Sequence, residues 1–192
     1  MRIEALGHVE GVSGPRLRNE LKKLVEDADG NVRLMALRAM EQHNISVAGP
    51  FLVLRIQDRE FLRLPFEERK QALQTLCSLR PKRGEEVCMA LLADARILRS
   101  TALEETRELA AQHLAEVASS NPAFFLLEDI AKSGGLRNSK RVRDAAVAAI
   151  ERIKVRAEEA QKAAEKRKAE RRSQAGGGTT IAGRKKRKSA TA

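Results

Sequence analysis

One pattern limits what this 192-residue chain can fold into. Four segments align without gaps: VRLMALRAM (32–40), ERKQALQTL (68–76), TRELAAQHL (106–114) and VRDAAVAAI (142–150). Their arginines, Arg33, Arg69, Arg107 and Arg143, are 36, 38 and 36 residues apart. Three positions after each arginine stands Ala36, Ala72, Ala110 or Ala146. Four positions after it stands Leu37, Leu73, Ala111 or Val147, and seven after it Met40, Leu76, Leu114 or Ile150. Offsets of three, four and seven fall on one helical stripe. A small Ala at a constant point of that stripe lets a neighbouring helix approach closely.

A second apolar stretch precedes each of these: LRNELKKLV (17–25), PFLVLRI (50–56), EVCMALL (86–92) and AFFLLEDI (123–130). All five prolines fall where a helix can begin. Pro15, Pro50, Pro81 and Pro122 open the preceding helices, and Pro65 opens one of the arginine-bearing ones. The first-turn N–H has no intrahelical acceptor, so proline costs little there. Asn121 reads as an N-cap, Thr101 with Glu104 has capping-box spacing, and Asp29 can cap the helix starting near Asn31. Gly134 and Gly135 mark the end of the fourth preceding helix. No stretch alternates with period two, so no strand is expected. The expected fold class is all-α: an α-α superhelix of about four antiparallel helix pairs, a long C-terminal helix and a disordered tail.

The run Asp29-Gly-Asn-Val32-Arg33-x-x-Ala36-x-x-Ala39 resembles the Asp…Val-Arg-x-x-Ala-x-x-Ala signature of HEAT repeats. The resemblance covers about residues 1–153 and implies a HEAT-like solenoid in which an Asp–Arg ladder joins adjacent repeats. The Arg carries over to Arg33, Arg69, Arg107 and Arg143, but the acid only to Asp29. Glu67 or Glu68, and Glu104 or Glu105, are possible substitutes, while the fourth repeat offers Asn138 and Ser139, so a continuous ladder is not expected. Met1–Gly7 reads as a second helix without its first (Arg2, Ala5, Leu6), as in the C-terminal part of a longer array, the other reading being a frayed cap. Two apolar links, 58–64 and 95–102, carry Phe61, Leu62, Leu64, Ile97 and Leu98; they read as lids over the core edge or as a partner site.

The resemblance further implies that the second helices line a concave face. At offsets of one, five and eight from each Arg the stripe reads Leu34, Arg38, Glu41; Lys70, Gln74, Cys77; Glu108, Gln112, Ala115; and Asp144, Ala148, Glu151. Its candidate partner-binding residues are Arg38, Glu41, Lys70, Gln74, Glu108, Gln112, Asp144 and Glu151. Mixed signs suit a protein surface better than a phosphate track or an amphipathic peptide.

Catalytic patterns are absent from the sequence. His8, His43 and His113 lack metal-ligand spacing, and His113 reads as a helix-contact residue. Cys77 and Cys88 are packing residues, or a redox pair only if the helices bring them together. Two cysteines also exclude a disulfide scaffold and suit a reducing compartment. No Walker or dinucleotide pattern occurs. Some HEAT-like proteins are enzymes, but the chain has no Trp or Tyr and no acidic-aromatic pocket to match them. No cofactor, metal or small-molecule substrate is expected. No apolar run is long enough to span a membrane.

Charge is localised. Residues 154–192 hold 13 Lys+Arg and 4 Asp+Glu, whereas residues 1–153 hold 24 and 22. The expected organisation is a HEAT-like domain over 1–153, a charged Ala-rich helical extension over 154–172, and a disordered Gly-rich basic tail over 173–192. Arg184, Lys185, Lys186, Arg187 and Lys188 form a basic run that suits phosphates or an acidic partner, resembles an import signal, or aids solubility. The function expected is a non-catalytic adaptor that binds an unidentified protein partner, in the cytoplasm or, in a eukaryote, the nucleus. The alternative is non-specific nucleic-acid binding through the tail.

Overall fold

The computed structural model describes residues 15–94 and 100–176. The readings placed on Met1–Gly7, on Ile97 and Leu98, and on the basic run at 184–188 lie outside them. Among the described residues there are eight α-helices and no strand. They are α1 (Pro15–Val25), α2 (Gly30–Gln42), α3 (Gly49–Gln57), α4 (Phe66–Leu79), α5 (Pro81–Ala93), α6 (Thr101–Val117), α7 (Asn121–Lys132) and α8 (Lys140–Gly176). Of the described residues, those up to Ile153 form one compact unit and those from Lys154 onward another.

Within the first unit α1 packs on α2, α3 on α4, and α5 on α6. Between pairs, α2 meets α4 and α4 meets α6, while α3 meets α5 and α5 meets α7. The helices therefore form two layers of successive pairs. Ala36, Ala72, Ala110 and Ala146 are all buried at the crossings, and so are Met40, Leu76, Leu114 and Ile150. Val147 departs from the pattern and is 49% exposed. Its counterparts Leu37, Leu73 and Ala111 are covered by neighbouring helices, but no later helix among the described residues follows α8.

Helix boundaries follow local chemistry. Asp29 caps α2 by accepting from the Asn31 N–H at 2.8 Å. The other two expected caps move by one residue: Ser100 caps α6 and Ser120 caps α7, so Thr101 and Asn121 are first helical residues. Both serines hold extended backbone, with the side chain three residues before the N–H it accepts. α2 ends in a Schellman motif. Asn44, at φ 50°, supplies its left-handed residue, and the N–H of Ile45 donates to the Met40 carbonyl at 2.9 Å. The link after α3 coils as a 3-10 turn over Arg59–Arg63 and buries Phe61 in the core, as a lid does.

α4 and α5 approach so closely that a Cβ on Gly84 would lie 2.8 Å from both the Cα and Sγ of Cys77. This crossing brings the buried Cys77 and Cys88 sulfurs to 3.9 Å as free thiols. A hydrogen bond with Cys77, reinforced by burial, pushes the Cys88 thiol well above its ordinary value.

The arginines bind the stack together. Arg33 donates from Nε and Nη2 to the two carboxylate oxygens of Glu68, at 2.6 and 2.8 Å. Arg69 donates to Glu105 at 2.6 Å, to the Thr106 hydroxyl at 2.5 Å and to the Ala102 carbonyl at 2.6 Å. Arg107, fully buried, donates to the Leu92 carbonyl at 2.9 Å, to Glu104 at 3.2 Å and to Asn138 Oδ1. The series is continuous, contrary to expectation. Its acceptors are the carboxylates of Glu68 and Glu105 and then the amide of Asn138, because an arginine needs an oxygen at or just before the start of the next second helix, not one residue type at one register. Asp29 has no place in it, since its side chain caps α2.

A carboxylate supplies the corresponding link between α5 and α7. Glu85, buried, accepts from the N–H and hydroxyl of Ser119 at 3.2 and 2.9 Å. It also accepts from the Ser120 N–H at 3.0 Å and from the Ser120 hydroxyl. Burial alone raises the Glu85 carboxyl, but these four bonds outweigh it and hold the group below its ordinary 4.5.

Two outcomes follow. Arg107→Ala leaves the Leu92 carbonyl and Asn138 buried without their donor and lowers unfolding stability by about 3 kcal/mol in urea titration, with Arg107→Lys restoring little of it. A Glu85→Gln chain is destabilised at neutral pH. Because the folded group's value is depressed, the wild-type advantage is complete above about pH 5 and disappears as pH falls through the folded value, below 4.5. Parallel denaturation curves of the two chains across that range measure it.

Candidate partner-binding groove

The second helices α2, α4, α6 and α8 place their outward side chains on one side of the first unit, and two clefts of about 490 Å³ each open there. The first lies over α2, α4 and α6 and is lined by Glu41, Lys70, Gln74, Gln112 and His113 among others. The second lies over α6 and α8 and is lined by Glu108, Gln112, Arg141 and Asp144 with a floor of alanines. Gln112 and Arg152 line both, so the two clefts are continuous.

Six of the eight expected contact residues meet in this groove: Glu41, Lys70, Gln74, Glu108, Gln112 and Asp144. Arg38 is exposed but lines neither cleft, and donates to Gln71 at 3.4 Å. Glu151 is exposed and also lies outside both. Of the remaining stripe residues, Cys77 lines the first cleft and Ala115 and Ala148 the second. Cys77 and Ala115 are buried, 4% and 3% exposed, because the stripe meets the α4–α5 and α6–α8 crossings there.

Two of the groove's acids are engaged within the stack. Glu41 accepts from Gln71 Nε2 at 2.7 Å and from Gln74 Nε2 at 3.0 Å, joining α2 to α4. Glu108 accepts from Arg141 Nε and, at 3.5 Å, from Gln112, joining α6 to α8. Lys70 and Arg152 take part in no hydrogen bond or ion pair among the described residues. The groove thus presents two cations, Lys70 and Arg152, and one acid, Asp144, beside polar groups already tied to one another.

His113 forms part of the wall. It is 8% exposed, its Nε2 makes no hydrogen bond, and its Nδ1 lies 3.9 Å from Glu116. Burial lowers its ionisation below 6.5, against the opposing pull of Glu116 and Glu41. Sequence reasoning missed Arg141 and Arg152 as lining residues. Arg152, nine residues after Arg143, lies beside the stripe; a wider stripe would have included it. No group of three or more potential metal ligands occurs among the described residues, and no helix there is long and apolar enough to cross a membrane.

No family model matches the chain, and no curated protein or solved structure shows significant similarity to it.

His113 reports directly on the groove. In the free chain its imidazole resonance, assigned by loss in His113→Asn, titrates below 6.5. A bound carboxylate nearby raises that value. Titration above 6.5 in the free chain contradicts the burial described.

Proposed function

We propose that the chain is a HEAT-like, non-catalytic adaptor that holds a protein partner in the groove across α2, α4, α6 and α8. The observation that carries this reading is the groove itself, continuous over four second helices and lined by Lys70, Gln74, Gln112 and Arg152. Its signs are mixed, as in protein–protein surfaces whose specificity comes from charge placement. The rigid two-layer stack suits such a role, because contact groups on successive helices are held at regular intervals. The absence of a catalytic pattern in the sequence agrees with it. The free thiols Cys77 and Cys88 favour a reducing compartment, the cytoplasm or, in a eukaryote, the nucleus.

A second reading is favoured by the charge localised in 154–192. There the run Arg184–Lys188 holds nucleic-acid phosphates without sequence preference.

The test uses the full chain and a Lys70→Glu, Gln74→Glu, Gln112→Arg chain as paired baits. A partner retained by the first and weakened at least about tenfold by the second, equivalent to about 1.4 kcal/mol, supports the groove. A partner bound equally by both removes the groove assignment.

A further inference from the structure

A guanidinium is a planar fork of donors, so one arginine can bind in two directions at once. Each arginine of the stack turns back to a backbone carbonyl of its own helix pair: Arg33 to Asp27 and Ala28, Arg69 to Leu64, Arg107 to Leu92 and Arg143 to Ser133. Arg33, Arg69 and Arg107 also reach forward to an oxygen of the next pair, on Glu68, Glu105 and Asn138. Among the described residues Arg143 makes only the backward bond, at 3.4 Å.

The apolar positions show the same interruption at both ends of the stack. Four after each arginine, Leu37, Leu73 and Ala111 are buried, whereas Val147 is 49% exposed. Two after each arginine the helix faces the preceding pair, as Gln71 does when it donates to Glu41 of α2. There Gln71 and Leu109 are buried and Ala145 packs against the core, whereas Met35 is 47% exposed. One edge of α8 is therefore shaped for a following pair, and one edge of α2 for a preceding pair.

We propose that these two edges meet between molecules: the α8 edge of one chain takes the α2 edge of a second copy, head to tail, independently of the groove. The rules that join successive pairs inside the chain have counterparts across this junction. Asp29 stands four before Arg33, within the range of one to five residues by which Glu68, Glu105 and Asn138 precede the arginines of their own helices. It is exposed, and capping α2 occupies only Oδ1, so Oδ2 is left to accept from Arg143 of the other copy. Inside the chain Glu41, eight after Arg33, accepts from Gln74, five after Arg69. Glu151, eight after Arg143, and Arg38, five after Arg33, stand in the same relation across the junction, with opposite charges. Both are exposed, and neither lines a cleft. Met35 and Val147 supply the apolar contact between these polar pairs. A different partner would have to present an acid, a cation and an apolar residue at these same intervals, which this chain already carries. A contact between unlike faces leaves a free edge on each member of the pair, so association continues from copy to copy.

The test follows full-length chains by sedimentation velocity over a concentration series. The wild-type chain gains mass past the dimer as concentration rises. Val147→Glu and Met35→Glu each put a charge at an exposed position, with circular dichroism checking the fold, and each alone weakens association at least about tenfold. Mixed in equal amounts, these two variants form a dimer and stop there, because each keeps the edge that the other has lost. Arg38→Glu and Glu151→Arg each weaken association, and the two substitutions joined in one chain restore it. The Lys70→Glu, Gln74→Glu, Gln112→Arg chain associates like wild type, which separates this contact from the groove. The proposal is overturned by a wild-type chain that stays monomeric up to about 1 mM, by a mass that halts at the dimer, by a mixture of the two variants that stays monomeric, or by association lost in the groove variant.

Discussion

Buried guanidinium groups that donate to oxygens on the next helix pair organise this protein, even though Arg107 Nε itself has no partner. Arg69 and Arg107 are almost wholly buried, at 3% and 0% exposure, and Arg33 is largely so. Each reaches oxygens that belong to the next helix pair or to the turn before it. An unpaired charge at those depths would cost several kcal/mol, about as much as the net stability of a small domain can absorb. The pairs must therefore stack in one register. That register brings the outward faces of α2, α4, α6 and α8 together and creates the groove.

The apolar part of this design was legible in the sequence, because burial imposes a period that residues cannot disguise. The triplets Arg33–Ala36–Met40 and Arg69–Ala72–Leu76 lie inside the stack as their spacing requires. The acceptors were much less legible. Glu68 stands one residue before Arg69, Glu105 two before Arg107 and Asn138 five before Arg143. A long flexible donor tolerates all three placements, so no fixed spacing marks them. Caps were legible to within one residue. Ser100 and Ser120 prevailed over Thr101 and Asn121 because the capping position is decided by where extended backbone turns helical.

The groove shows the same division. Offsets from each arginine gathered Glu41, Lys70, Gln74, Glu108, Gln112 and Asp144, since a helical stripe follows from periodicity alone. They could not reveal that Glu41 is held by Gln71 and Gln74, or Glu108 by Arg141. Those bonds depend on how far one helix is shifted against the next. They leave Lys70, Arg152 and Asp144 as the groove's available charges, a distinction between residues that look equivalent by residue type alone.

Glu85 has a different implication. It lies in α5, yet its two oxygens take the N–H groups of Ser119 and Ser120, where the chain enters α7. Those donors have no partner inside α7, so the start of that helix is completed by a residue some 34 positions earlier. The helicity of α7 is to that extent borrowed: its first turn is specified only once α5 is in place, and a disturbance beneath α5 reaches α7 as fraying.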